Sequence, residues 1–209
     1  MLKAVLYDWG GLNVWLFHLI NQWHAPFWDA LMRLGTALGN HANFPVYMAL
    51  AVLAGLLQTA RAQRRGGQEA AGRLALSWLG VLAVFSLGYL VDGGLIVWLK
   101  PWLNFPRPPL ALPPGSVVVV GRPEYHHSLP SGHSAFVMLL AASLWPVLDK
   151  RWRVAAVAFV FWVGISRLSL GAHFPADVAA GFFLSLGVVY VARALLWVIS
   201  GTKQDRIGE

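Results

Sequence analysis

The sequence predicts an all-α fold, a polytopic transmembrane helix bundle of five to six spans with amphipathic helices lying in the interface at its N-terminus. Three observations carry that expectation. Of the 209 residues, 57% are hydrophobic and only 12% are charged, a balance unusual for a soluble domain of this size. The apolar residues gather in runs close to the roughly 20 that a helix needs to cross a bilayer. The basic residues are sorted as well: Arg61, Arg64, Arg65 and Arg73 lie between two runs, and Lys150, Arg151 and Arg153 between two others. This is the positive-inside pattern of a membrane protein, so the formal charge of +7 points to membrane lipids as partners and not to nucleic acid. Cysteine is absent, which excludes a disulfide framework, a thiolate metal site and a cysteine nucleophile.

Taken in order, residues 1–43 spread Trp9, Trp15, Trp23 and Trp28 among His, Asn, Asp and Gly, with Val14, Phe17 and Ile20 at helical spacing. They read as one or two interfacial helices, with a short re-entrant or spanning hairpin as the competing reading. No cationic stretch is followed by an apolar run and a small-residue cleavage site, so no removable signal peptide is expected. The bundle, residues 44–200, begins with Phe44 to Ala60, a short run free of charge. Leu74 to Leu99 follows, interrupted only by Asp92, which either pairs with a nearby cation or fills a polar gap. Ser134 to Leu148 is marginal in length unless it starts at Ser131. Arg153 to about Leu170 and Val178 to Ser200 complete the set. The Pro- and Gly-rich stretch from Pro101 to Gly115 marks a loop between spans, so residues 1–209 read as a single membrane-embedded domain. Alternating orientation puts the basic connections and the tail bearing Lys203 and Arg206 on the cytoplasmic side of a bacterial inner membrane, and the loop from Lys100 to His133 on the periplasmic or outer side.

Three clusters fall at those outward ends. In the first, Lys100-Pro-Trp-Leu-Asn-Phe-Pro-Arg107-Pro108, Pro106 and Pro108 stiffen the backbone that presents the guanidinium. A lysine point charge beside an arginine fork suits phosphate, although two snorkelling interfacial cations would look the same in isolation. The second is Pro130-Ser131-Gly132-His133-Ser134 at the start of an apolar run, where a helix N-terminus offers free N–H groups and Gly132 admits an anion. His133 could protonate a leaving oxygen there, while a plain N-cap at Ser131 or Ser134 is the simpler alternative. The third runs from Ser166-Arg167 to His173-Phe-Pro175-Ala-Asp177. Pro175 opens the last helix and sets Asp177 in its first turn, from which the carboxylate can orient His173 as a nucleophile. His126 and His127, just upstream, read as a solvated loop pair.

A zinc site is the rival for His133, His173 and Asp177. Three fixed cations beside them oppose a divalent ion and favour a bound anion, so no metal or other cofactor is expected. The clusters together resemble the tripartite signature of the type 2 phosphatidic acid phosphatase (PAP2) superfamily: lysine, six residues, Arg-Pro; Pro-Ser-Gly-His; Ser-Arg, five residues, His, three residues, Asp. Every one of those positions is matched between Lys100 and Asp177. The resemblance implies a metal-independent hydrolase in which His173 attacks phosphorus to give a phosphohistidine, Asp177 orients it, and His133 protonates the leaving group. It also implies that Lys100, Arg107, Arg167, Ser131 and Gly132 hold the phosphoryl oxygens. By size the chain resembles bacterial undecaprenyl diphosphate phosphatases, which makes undecaprenyl diphosphate the first expected lipid substrate, ahead of phosphatidic acid and phosphatidylglycerol phosphate. Phosphotransfer to a second lipid is an alternative chemistry. An anion-binding membrane transporter is the alternative from another class, and the His173–Asp177 pair argues against it.

Overall fold

The computed structural model describes residues 7–205, with side chains to residue 199, so Arg206 of the expected basic tail, the side chain of Lys203, and residues 1–6 lie outside what it describes. Among the described residues every regular element is helical.

Two short helices open the chain, α1 (Leu12–Asn21) and α2 (Pro26–Leu38). At 10 and 13 residues neither reaches across a bilayer, as expected of helices at an interface. Buried polar side chains anchor them to the bundle. Asn13 Oδ1 accepts the Ala176 amide at 2.9 Å, and Asn21 Nδ2 donates to Val118 O at 2.8 Å and Ser169 O at 3.0 Å. Trp28 Nε1 donates to Ser169 Oγ at 3.2 Å, and Thr36 Oγ1 lies 2.9 Å from Ser166 Oγ. With Gly35 against Trp162 and Gly39 against Val163 as well, α2 runs beside residues 162–169.

The next helix, α3 (Phe44–Leu103), is 60 residues long and reverses at Gly67, where φ is 74° and ψ −172°. Only glycine takes that conformation without steric cost. Contacts nested about this point make α3 an antiparallel hairpin: Gln58 Oε1 accepts from Trp78 Nε1 at 3.4 Å, and Phe44 stacks on Tyr89 at 3.9 Å. The basic connection expected between the first two spans is therefore largely helical. Its Ala, Gln and Arg residues favour helix, and a Glu69–Arg73 pair one turn apart supports it.

Pro101 and an Asn104 cap in the left-handed region end the hairpin, and α4 (Pro108–Ala111) is a single turn. An irregular stretch then leads to α5 (Gly132–Leu144), a tight turn at Trp145–Val147, α6 (Lys150–Ser169) capped by Asp149, and α7 (Pro175–Asp205). Apolar on every side, α5 is the bundle's central post, with Phe136, Val137 and Leu139 packed among Phe85, Val163 and Val189. It is also short. With its turn it covers Gly132–Val147, whereas α6 has 20 residues. Three stretches are long and apolar enough to cross a membrane, His41–Ala111, Lys150–Ser169 and Pro175–Ile199. Folded as a hairpin the first is long enough to cross twice, which with the shorter α5 gives five of the five to six spans expected. Leu76, Leu90, Val97, Phe183 and Tyr190 stand exposed around the outside, the apolar girdle a bilayer would cover.

Candidate active site

The α5–α7 crossing organises the upper end of the bundle. A Cβ on Gly181 would sit 2.6 Å from Ser131 O and 3.0 Å from Ala135 N, so only glycine lets α7 approach the start of α5 this closely. The contact brings the first turns of both helices together, and the Ser131 amide donates to Asp177 O at 3.0 Å. Ser131 caps α5 with its side chain: its Oγ accepts the Ser134 amide at 3.4 Å and the Ser134 hydroxyl at 2.9 Å. Its hydroxyl thus serves the helix, and of this motif Gly132 and His133 line the neighbouring cavity. Among the described residues their two amides have no hydrogen-bond partner, as at any helix start.

Asp177 is fully buried and held by three donors. Tyr7 Oη donates to Oδ1 at 2.9 Å; Ser128 Oγ at 2.5 Å and the Phe174 amide at 2.8 Å donate to Oδ2. His173 Nδ1 lies 3.4 Å from Oδ2 and 3.4 Å from Ser128 Oγ. On the other side of the ring, Arg107 Nη1 is 3.3 Å from Nε2. A guanidinium can only donate, so the partners assign the ring proton to Nδ1 and a lone pair to Nε2. Burial, followed by the charges of Arg107, Arg167 and Lys100, pushes the His173 imidazole well below the usual histidine range, which keeps that lone pair free. Burial also pushes the Tyr7 phenol up, with the Asp177 charge adding to it, so Tyr7 remains a donor.

Arg107 is fixed as the prolines suggest. Pro108 holds it in the extended region, and its amide donates to Tyr125 O at 2.9 Å. Its side chain donates from Nε to His126 O at 3.0 Å and from Nη1 to Ala172 O at 3.1 Å, and Nη2 meets Glu124 Oε2 at 2.7 Å. Arg167 donates from Nη1 to Thr36 Oγ1 at 3.0 Å, while its buried Nε has no partner among the described residues. His126 and His127 are exposed, yet they hold the loop in place: His126 offers its carbonyl to Arg107, and His127 Nδ1 lies 3.2 Å from Lys100 O.

These groups surround a cavity of about 560 Å³. Lys100, Arg107, Gly132, His133, Arg167 and His173 line one part, and Leu90, Ile96, Val97, Phe136 and Leu139 line the rest. Six of the eight residues expected from the motifs thus reach one hollow, while Asp177 stands behind His173 and Ser131 within the helix cap. Asp92 lines the apolar part. Its Oδ2 accepts from Ser185 Oγ at 2.7 Å, and no active-site cation pairs with it among the described residues, so of its two expected roles it fills the polar gap. Among the described residues no group of three or more His, Asp or Glu side chains is arranged to hold a metal ion.

Tyr7, Ser128, Glu124 and Thr36 had no signal in the sequence. Each is a single polar residue in a segment without a motif, and only the fold brings it to the site. Tyr7 is 170 residues away from the carboxylate it contacts.

The family model of the PAP2 superfamily matches residues 81–200. A lipid A 1-phosphatase of Rhizobium johnstonii is 32% identical over 69% of the chain, and phosphatidylglycerophosphatase B of Bacillus subtilis is 31% identical over 56% of it. The chain spans only 59% and 58% of the lengths of these two relatives. In three dimensions it resembles LpxE of Aquifex aeolicus, with a TM-score of 0.68 at 24% identity, covering 87% of this chain and 94% of that one. It also resembles a transmembrane PAP2-type phosphatidylglycerolphosphate phosphatase of Bacillus subtilis, with a TM-score of 0.63 at 24% identity over 95% and 92%. Both likenesses are of fold.

Proposed function

Because the chain belongs to the PAP2 superfamily, we propose that it is a single-domain, multi-pass membrane phosphatase that removes a phosphoryl group from a lipid through a phosphohistidine. The observation that carries this reading is the two-part cavity, with Lys100, Arg107, Arg167, His133 and His173 in one part and an apolar wall in the other. A lipid phosphate has the same division.

In the proposed reaction His173 Nε2 attacks phosphorus. The N–P bond forms as the bond to the leaving oxygen breaks, and His133 gives that oxygen its proton. Asp177 stabilises the positive charge that develops on the His173 ring. Lys100, Arg107, Arg167 and the Gly132 amide take up the charge on the phosphoryl oxygens, with Ser131 setting the helix start that presents the amide. His133 then accepts a proton from water, whose oxygen attacks phosphorus; the N–P bond breaks and inorganic phosphate leaves. No step calls for a metal.

On substrate, the relatives' names speak for lipid A-type and phosphatidylglycerol-type phosphates, and undecaprenyl diphosphate rests on size alone. The arginine-rich Arg61–Arg73 and Lys150–Arg153 connections support a cytoplasmic lower end in a bacterial inner membrane, hence a site that faces outward. The test is release of inorganic phosphate from defined lipid phosphates by detergent-purified protein in a chelator, with His173→Ala as the control. Turnover is expected for the wild type and its loss for the variant. Near-normal activity in His173→Ala would refute the covalent route.

A further inference from the structure

Gly164 lets α6 and α7 meet near their upper ends, where a Cβ on it would stand 3.0 Å from Val178 Cγ1 and 3.1 Å from Phe182 Cζ. Below that contact a hollow of about 590 Å³ lies between the two helices and the lower part of α5. Val157 and Phe161 line one side, Leu186 and Tyr190 the other, and Ala141 and Trp145 complete it from α5 and its turn. The four lateral residues are exposed, so the hollow is a groove that opens onto the apolar girdle. It shares no residue with the cavity at the upper end.

Two arginines stand at the lower end of this groove. Arg193 lines it, and its Nη2 donates to Ala142 O at 2.5 Å. The Trp145 amide bonds to the same carbonyl, and Arg153 lies over the Trp145 ring with Cζ 5.2 Å from the centroid. Both guanidinium groups are thus gathered about the last turn of α5. Among the described residues neither has an ion-pair partner, and the buried Arg153 Nε has no hydrogen-bond partner. Asp149, the carboxylate nearest to Arg153 in sequence, caps the Arg151 and Trp152 amides instead. Arg193 moreover lies inside the apolar stretch Pro175–Ile199, where a cation is costly unless an anion or carbonyl offsets it. Ala142 O engages only one of its donors, so most of the fork is left for an anion from outside the chain.

An acyl chain suits the groove, and a phosphodiester suits two guanidinium forks at its end. We infer that the groove between α6 and α7 binds an anionic phospholipid of the leaflet opposite the active site, with an acyl chain between Val157 and Tyr190 and the head-group phosphate on Arg153 and Arg193. A zwitterionic phospholipid would bring a further cation to a place that already holds two, so the net negative lipid is preferred. This site does not depend on the phosphatase reading.

The experiment is competitive retention. The purified protein in detergent is offered equal amounts of phosphatidylglycerol and phosphatidylcholine with the same acyl chains, and the retained lipids are read by native mass spectrometry. Wild type should hold phosphatidylglycerol about tenfold over phosphatidylcholine, as two cations at a lipid surface allow. The Arg153→Gln, Arg193→Gln double variant should bring the ratio to within about twofold of one, and the matching Lys pair should keep most of it, which separates charge from folding. Val157→Trp fills the groove from its exposed edge with both arginines intact, and it should release the retained phosphatidylglycerol. That variant decides the matter if the Gln pair fails to fold. Arg107→Gln, in the upper cavity, should keep the wild-type ratio. A wild-type ratio within about twofold of one overturns the inference, and so does an unchanged ratio in the Gln pair or undiminished retention by Val157→Trp. Loss of the lipid in Arg107→Gln alone also overturns it, because the lipid would then sit in the upper cavity.

Discussion

Replacing Tyr7 by Phe removes one hydrogen bond and little else. The ring that lies 4.3 Å from Phe105 and 6.0 Å from Phe174 is kept, so the packing survives. What is lost is the donor to Asp177 Oδ1, and among the described residues no other group bonds to that oxygen, whereas Oδ2 is approached by Ser128, Phe174 and His173. A hydrogen bond to a charged group contributes about 1.5–3 kcal/mol, and here its loss leaves a buried carboxylate oxygen bare. At about 2–4 °C per kcal/mol for a chain of this size, the apparent Tm in detergent should drop by about 3–12 °C. The carboxylate, freed on one side, would hold His173 less firmly, so kcat should fall about tenfold, while KM should stay within about twofold because Tyr7 does not line the cavity. Ser128→Ala makes the comparison sharper. It leaves Oδ2 two partners, so it should cost less stability than Tyr7→Phe but lower kcat at least as much, since Ser128 lies against the ring nitrogen itself. Thermal unfolding followed by tryptophan fluorescence, with steady-state kinetics on the same samples, reads both. A Tyr7→Phe protein with wild-type Tm and kcat would refute the idea that the N-terminal segment secures the carboxylate.

His133→Ala should reduce turnover by about 100-fold on lipid esters and far less on aryl phosphates with acidic leaving groups, which need no proton; equal losses would argue against the acid role. Orthovanadate, which takes up the five-coordinate geometry of the reacting phosphorus, should inhibit competitively and bind more weakly to Arg107→Gln, and undiminished inhibition of that variant would remove Arg107 from the phosphate site. The orientation can be read with single cysteines in this cysteine-free chain, placed at exposed, non-glycine positions since Gly121 and Gly67 both have positive φ. Pro114→Cys should react with a membrane-impermeant thiol reagent in intact spheroplasts and Gln68→Cys should not; the reverse pattern would turn the site to the cytoplasm.

The place of the candidate site was legible in the sequence because most of its residues fall in short, closely spaced clusters. Lys100 to Arg107, Ser131 to His133 and Arg167 to Asp177 are each set by local backbone geometry, and local geometry leaves a pattern. The five apolar runs were legible for the same reason. Less readable was whatever depends on long-range packing. Nothing near Tyr7 marks it as the partner of a residue at the opposite end of the chain, and Glu124 sits in a loop without periodicity. Ser131 reads as a phosphate ligand or as a helix cap, and its bonds from Ser134 show the cap. The connection between the first two spans reads in the sequence only as a basic stretch between two apolar runs. Helix propensity extended both rods into it and left only Gly67 to make the bend.

The shortness of α5 has a consequence for how a substrate arrives. A tight turn joins its lower end to α6, so the two helices start level. At about 1.5 Å per residue, the four residues by which α5 and its turn fall short of α6 leave its upper end roughly 6 Å lower. The surrounding helices, not this central post, set the thickness of bilayer the protein matches. His133 and the Gly132 amide therefore sit below the upper end of α6. A lipid arriving sideways from the leaflet would not have to be lifted out of its layer; its phosphate would need only to settle. On the proposed function, water and the released phosphate would be the species that travel the vertical distance.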